Sequence, residues 1–244
     1  MADFLLIHGA WHGGWCWDRV VPLLEAAGHG TFAPTLSGLE EERTEPVDGI
    51  GMGTHVEDVL RAASGLSSDR LILVGHSYGG FPMTGAADRL RERVALYVYL
   101  DAGVPDGMSP GTSFAWCDGN PPEERKKRFE AIVDLGLGPV LPTPPPEAFG
   151  VQSAADRELL AEKTRPMPAA TFTDRFTLES GGTDGLDRAF VHSIEPAYPP
   201  LGETPDRIQA DPSWEFHELR TGHDSMLMAP EALADLLLRV SESN

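Results

Sequence analysis

The segment Gly75-His76-Ser77-Tyr78-Gly79 sets a serine hydroxyl between two glycines, a spacing that suits a nucleophile exposed on a tight turn. Five-residue patterns of this kind arise by chance in roughly one chain in ten of this length, so the flanking residues decide its weight. Leu71-Ile72-Leu73-Val74 upstream reads as a buried strand, and Gly79 onward reads as a helix. Ser77 therefore falls on a strand-to-helix turn. Such a turn strains the backbone, exposes the hydroxyl and brings it near a helix amino terminus, which favours developing negative charge. Attack on an ester or related acyl compound is the chemistry these features suit.

A serine nucleophile needs a base, a carboxylate to orient that base, and two N–H donors for the oxyanion. Of eight histidines, His223 alone lies just after the last strand-like run, Trp214–Leu219, and ahead of the last helix. His76 adjoins Ser77, but its side chain is expected to pack beneath the turn. Two carboxylates stay open as the third member. Asp101 ends the apolar run Tyr97-Val98-Tyr99-Leu100-Asp101, where a charge is costly without a partner, and it is preferred. Glu195, just after the strand Ala189–Ile194, is the alternative acid. The N–H of Tyr78 supplies one oxyanion donor. The loop His8-Gly9-Ala10-Trp11-His12-Gly13-Gly14-Trp15 supplies the second, Ala10, with Trp11 the alternative. His8 and His12 have no Glu or Cys companion in that loop, so no metal site is expected. Trp11, Phe81, Phe114 and Trp116 are the expected substrate-binding walls, which suits small, apolar or aromatic esters.

The elements that must position these residues alternate strand with helix. Strands are expected at Phe4–His8, Thr31–Pro34, Leu71–His76, Val94–Asp101, Ala189–Ile194 and Trp214–Leu219. Several are apolar throughout, as strands covered on both faces are. Helices are expected at Trp17–Ala27 (stopped by Gly28), His55–Gly65 (with a Thr54/Glu57 capping box), Gly79–Arg93 and Pro230–Val240. This alternation predicts an α/β fold with a mostly parallel, doubly wound sheet. Residues 1–102 and 189–244 form the expected core. Residues 103–188 are too long for a crossover and are expected to be an inserted helical cap, with helices around Glu123–Leu135 and Ala155–Lys163 and a bend at Pro139–Pro146.

Across 244 residues, 41% are hydrophobic and 23% charged, in keeping with a globular protein. Lys plus Arg number 19 against 38 for Asp plus Glu, and the net charge of −19 argues against nucleic acid and anionic membranes as partners. No apolar run is long enough to span a bilayer, and the first residues lack the pattern of a signal peptide. Two cysteines, Cys16 and Cys117, fit a reducing compartment, so a cytoplasmic location is expected.

The loop His8–Trp15, the run Val21-Pro22-Leu23-Leu24-Glu25-Ala26-Ala27-Gly28-His29 and Gly75-His76-Ser77-Tyr78-Gly79-Gly80 together resemble the plant methylesterase and hydroxynitrile lyase branch of the α/β-hydrolases. Tyr97–Pro105 is similar to that of its bacterial esterase-like members. The resemblance is strong in the first hundred residues and weak in the cap. It implies the α/β-hydrolase fold, a Ser-His-acid triad, a small helical cap, no cofactor, a small-molecule substrate and often a homodimer. The lyases of the branch carry a Thr and a Lys where this chain has Ala10 and Asp224, which favours hydrolysis. A lyase, a lactone- or epoxide-processing enzyme, a thioesterase or acyltransferase, and a ligand-binding receptor are the alternatives on the same scaffold.

Overall fold

The computed structural model describes residues 1–68 and 70–243. Strands β1 (Asp3–Ile7), β2 (Gly30–Phe32), β3 (Leu71–His76), β4 (Val94–Leu100), β5 (Arg188–Ser193) and β6 (Glu215–Leu219) form one sheet in the order β6-β5-β4-β3-β1-β2. Every neighbouring pair is parallel. The inner strands are largely apolar because both their faces are covered, and each residue of β3 is buried. Among the described residues, seven α-helices of six residues or more accompany the sheet: α1 (Val21–Ala26), α2 (Met52–Ser64), α3 (Gly80–Leu90), α4 (Pro122–Ala131), α5 (Ala154–Lys163), α6 (Thr204–Gln209) and α7 (Pro230–Ser243). Helix α2 packs on α3, and α1 on α7. No helix among the described residues is long and apolar enough to cross a membrane.

Several boundaries differ from expectation for local reasons. The expected helix at Trp17–Ala27 opens as a single tight turn at Gly14–Trp17 and becomes α1 only at Val21, with Pro22 in its first turn. Gly28 does end it, at φ +88°. Helix α2 starts earlier than expected, so Thr54 is its third residue rather than its cap and accepts a hydrogen bond from Gly51 N–H at 3.3 Å. Glu57, the expected other half of a capping box, instead pairs with Arg89 of α3.

The segment between β4 and β5 holds α4, α5 and two small antiparallel sheets. Ser113–Phe114 pairs with Phe176–Thr177, and Val133–Asp134, Pro139–Leu141 and Met167–Pro168 form a three-stranded ribbon. Pro139–Leu141, expected as part of a bend, is the middle strand of that ribbon. Val140 and Leu141 are buried there, and Pro139, which has no N–H to give, sits at the strand's start.

Register brings the chemistry together. Residue Leu100 of β4 stands opposite His76 of β3 on one side and Val191 of β5 on the other. The next residues along these three strands are Ser77, Asp101 and His192, side by side at the carboxyl edge. The turn at Ser77 depends on two close approaches. A Cβ at Gly75 would lie 2.8 Å from the Gly79 carbonyl oxygen, and one at Gly79 would lie 2.7 Å from that of His8. Gly79→Ala is therefore expected to destabilise the fold by about 1–3 kcal/mol through forced backbone shifts. Gly53→Ala in α2, where a Cβ meets nothing within 4 Å, is expected to stabilise by about 0.5–1 kcal/mol. Urea unfolding of the two variants checks this pair, and equal effects would sink it.

Candidate active site

Ser77 is the first residue past β3, and its backbone lies in the left-handed region at φ +53°. That costs a non-glycine residue about 1–3 kcal/mol. Its Oγ is 2.9 Å from His223 Nε2. His223 Nδ1 in turn lies 2.6 Å from Asp101 Oδ2. Asp101 has no exposed surface, and its other oxygen accepts from His192 Nδ1 at 2.9 Å and Ser193 N–H at 3.0 Å. Burial pushes the Asp101 carboxyl up, but the hydrogen bonds from His192, His223 and the Ser193 amide outweigh it and hold its pKa below the ordinary value. An ionised Asp101 makes His223 Nδ1 the donor, which leaves Nε2 free to accept from the Ser77 hydroxyl.

Glu195, the alternative acid, does not reach this chain of bonds. Its side chain is 60% exposed and pairs with Arg220 at 3.3 Å. Asp101 reaches the imidazole because its own backbone turns left-handed at φ +43° while its N–H still bonds Val191 O at 2.7 Å.

Ala10 and Trp11 occupy the middle of a turn closed by His12 N–H to Gly9 O at 3.4 Å, with Trp11 at φ +66°. Two histidines brace this loop. His8 Nδ1 donates to Gly9 O at 2.8 Å, and its Nε2 accepts from Leu36 N–H at 3.0 Å, so a neutral ring satisfies both. The Gly9 carbonyl shares a peptide unit with the Ala10 N–H, so this bond polarises that N–H. His12 Nδ1 donates to Ala10 O at 2.8 Å while Nε2 meets Asp224 Oδ2 at 3.2 Å. Burial opposes a charge on His12, but the Asp224 carboxylate outweighs it and raises the pKa of the ring. Burial likewise opposes the charge on Asp224, and His12 outweighs it and lowers the carboxyl. The two form a buried ion pair that joins this loop to the loop carrying His223. Tyr78 follows Ser77 within a helical turn, where the first N–H groups have no partner inside the helix. Its hydroxyl lies 2.9 Å from His55 Nδ1.

Trp11, Tyr78, Phe81 and Trp116 line the cavity that opens onto Ser77, together with Arg128, Tyr198 and other residues. Trp11 is held by a bond from its indole N–H to Leu141 O at 3.2 Å. Phe114, expected as a wall, lies behind Phe81 at 5.8 Å and lines a neighbouring cavity instead. Asp224 does not line the cavity either. Its side chain is buried and pairs with His12 instead. His76 packs beneath the turn and donates from Nε2 to His223 O at 3.1 Å. Ligand-type atoms of His76, His223 and Asp224 do lie within 4.8 Å of one another. Their hydrogen bonds to the His223 carbonyl, Ser77, Asp101 and His12 already account for that proximity. Sequence reasoning missed His192, Tyr198 and Arg128. Tyr198 stacks on His223 with ring centres 3.7 Å apart, and a Pro-flanked aromatic in the turn after β5 was the signal available for it.

A serine on a strand-to-helix turn, hydrogen-bonded to a histidine after the last strand, is the arrangement of a hydrolase of the α/β class. Residues 4–236 match the alpha/beta hydrolase family, and the chain belongs to it. Its similarity to a carbendazim-hydrolysing esterase of Nocardioides sp. (strain SG-4G) is 33% identity, covering 97% of this chain and 98% of the relative. Methylesterase 9 of Arabidopsis thaliana is 28% identical, with 99% of each chain covered. The solved structure of another Arabidopsis methylesterase superposes with a TM-score of 0.74 at 21% identity, covering both chains in full. The expected α/β-hydrolase fold is thus the observed one, and with esterases as full-length relatives the enzyme is of the carboxylesterase type.

The buried histidines set the pH dependence of stability. Burial lowers His8 and His76 from 6.5 to about 3. Between those values the unfolded chain binds more protons than the folded one, so stability falls as pH drops. The slope is up to about 1.4 kcal/mol per pH unit for each ring. His12, whose pKa is raised, contributes in the opposite sense: its stabilisation is full below about 6.5 and fades as pH rises through the folded value. Urea midpoints measured from about pH 7 to about pH 5 should fall steeply for the native protein and less steeply for His76→Asn. An unchanged slope in that variant would remove His76 as a source.

Proposed function

We propose that the chain is a serine hydrolase of small, largely apolar or aromatic esters, with Ser77 as nucleophile, His223 as base and Asp101 as the acid that orients it. The observation that carries this reading is the hydrogen-bonded chain from Ser77 Oγ through His223 to Asp101, at 2.9 and 2.6 Å. His223 takes the hydroxyl proton as Ser77 attacks the carbonyl, and the N–H groups of Ala10 and Tyr78 receive the oxyanion. Each such donor is worth about 3–4 kcal/mol in the transition state. His223 then protonates the departing alcohol. Water repeats the sequence on the acyl-enzyme, releasing the acid and restoring Ser77. Asp101 holds the Nδ1–H tautomer and stabilises the imidazolium.

The full-length esterase relatives support the same chemistry, and the aromatic cavity supports the substrate class. A lyase of the resembled branch uses a cation beside its base. Asp224 brings none, being paired with His12 away from the cavity.

Hydrolysis of p-nitrophenyl acetate and butyrate tests the assignment. Ser77→Ala is expected to lose turnover by roughly a factor of a million, and Asp101→Asn by roughly ten thousandfold. Glu195→Gln is expected to stay within twofold or so of the native rate. Full activity in Ser77→Ala, or a large loss in Glu195→Gln with none in Asp101→Asn, would overturn it.

A further inference from the structure

One charged side chain in the cavity has no part in the proposed mechanism. Arg128, in the last turn of α4, is only 8% exposed and lines the same cavity as Ser77. Its guanidinium stands 5.0 Å from the ring centre of Trp116 and 5.4 Å from that of Trp11. Nε donates to Glu124 Oε1 at 2.8 Å, one turn away on the helix. Tyr198, the residue stacked on His223, lines the same cavity. A guanidinium carries five N–H donors in a planar fork. The bond to Glu124 uses one of those donors, and the rest of the fork lies at a cavity with five aromatic walls, Trp11, Tyr78, Phe81, Trp116 and Tyr198. A hydrogen bond to a charged donor is worth more than one between neutral groups, so a ligand acceptor that meets the guanidinium gains accordingly.

The choice between a charged and a neutral acceptor follows from the surroundings. Glu124 already balances the Arg128 charge. The adjoining cavity, which shares Gly119, Asn120, Leu201 and Thr204 with this one, is lined by Asp106, Asp118 and Glu203 with Arg207 as its single cation. The whole chain carries −19. A carboxylate would approach against that field and then add a second negative charge beside Glu124. A carbonyl-type oxygen meets neither cost.

Resting on the hydrolase reading above, we propose that Arg128 is a specificity-determining residue and that the preferred substrates are neutral esters carrying a second hydrogen-bond acceptor, such as a ketone or amide oxygen. Arg128 donates to that oxygen while Trp11 and Trp116 flank the chain between it and the scissile carbonyl.

The test compares methyl hexanoate with methyl oxohexanoates bearing the ketone at each chain position, and with monomethyl glutarate as the anionic probe. Turnover of methyl hexanoate that requires Ser77 establishes the hydrolase reading on its own. For the native enzyme, the best oxohexanoate should exceed methyl hexanoate in kcat/KM by about tenfold or more, the worth of one hydrogen bond to a charged donor. In Arg128→Met that ratio should fall to about one, while Arg128→Lys should retain part of it. Glu124→Gln, at a more exposed position, leaves the guanidinium in place and should shift preference towards monomethyl glutarate. No ketone preference in the native enzyme, a preference that survives Arg128→Met, or monomethyl glutarate as the best native substrate would each overturn the proposal. Should no ester be turned over, the hydrolase reading falls. Calorimetric titration of the same compounds into native and Arg128→Met protein then decides the Arg128 assignment by the same ratio.

Discussion

The site is organised around keeping one carboxylate ionised with no exposed surface. Taking a charge out of water costs several kcal/mol even after relaxation, and Asp101 recovers it through three donors. Those donors come from His192 and Ser193 of β5 and from His223 in the loop past β6. The register between β4 and β5 is therefore tied to the electrostatics of the site. A slip of one residue would turn His192 to the other face of the sheet and move the Ser193 amide away. It would also leave His223 as the only donor to a buried charge. The tautomer of His223, and with it the acceptor presented to Ser77, follows from the same carboxylate.

Three buried histidines around the nucleophile turn show how position rather than residue type sets ionisation. His8 lies between a carbonyl and an amide N–H, so a neutral ring satisfies both neighbours. His76 donates to a carbonyl and its second nitrogen has no partner, so burial keeps it neutral. His12 has an acceptor at each nitrogen, one of them a carboxylate, and a charged ring is favoured. The charged one is the one that bridges two loops. A neutral link between the Ala10 loop and the His223 loop would contribute a hydrogen bond of about 1 kcal/mol. Removing one partner from a buried ion pair costs about 3–5 kcal/mol, so the pair fixes the placement of His223 relative to Ala10 and Trp11 more firmly.

The sequence carried the sheet because its strands are apolar runs bounded by turn residues, a signal that survives without knowledge of neighbours. It also placed Ser77, Asp101 and His223 just past strand ends, where hydrogen bonds join them. The remaining features depend on partners distant in the chain. Nothing near Asp224 announces His12, and nothing in the charged helix α4 announces that Arg128 turns inward while Glu123 and Lys127 face solvent. Phe114 illustrates the reverse error: an aromatic in the right segment packs one layer behind the wall it was expected to form. The short ribbon through Pro139–Leu141 is too brief to show a period of two, and its prolines hid it.

Strain is concentrated where the chemistry is. Trp11, Ser77 and Asp101 are the non-glycine residues with left-handed backbone among those described. Each such residue costs about 1–3 kcal/mol and persists only when its surroundings over-determine it. For Asp101 the determinants are its N–H on the Val191 carbonyl and its carboxylate on three donors. For Ser77 they are the two glycines that let β1 and the start of α3 close around it. For Trp11 they are the indole bond to Leu141 and the brace of His8 and His12 on either side of its peptide. Relaxing any one of the three would turn a side chain or an N–H away from the point where they converge. The sheet's buried apolar core supplies the stability against which this strain is held, and the point of convergence is the Ser77 hydroxyl.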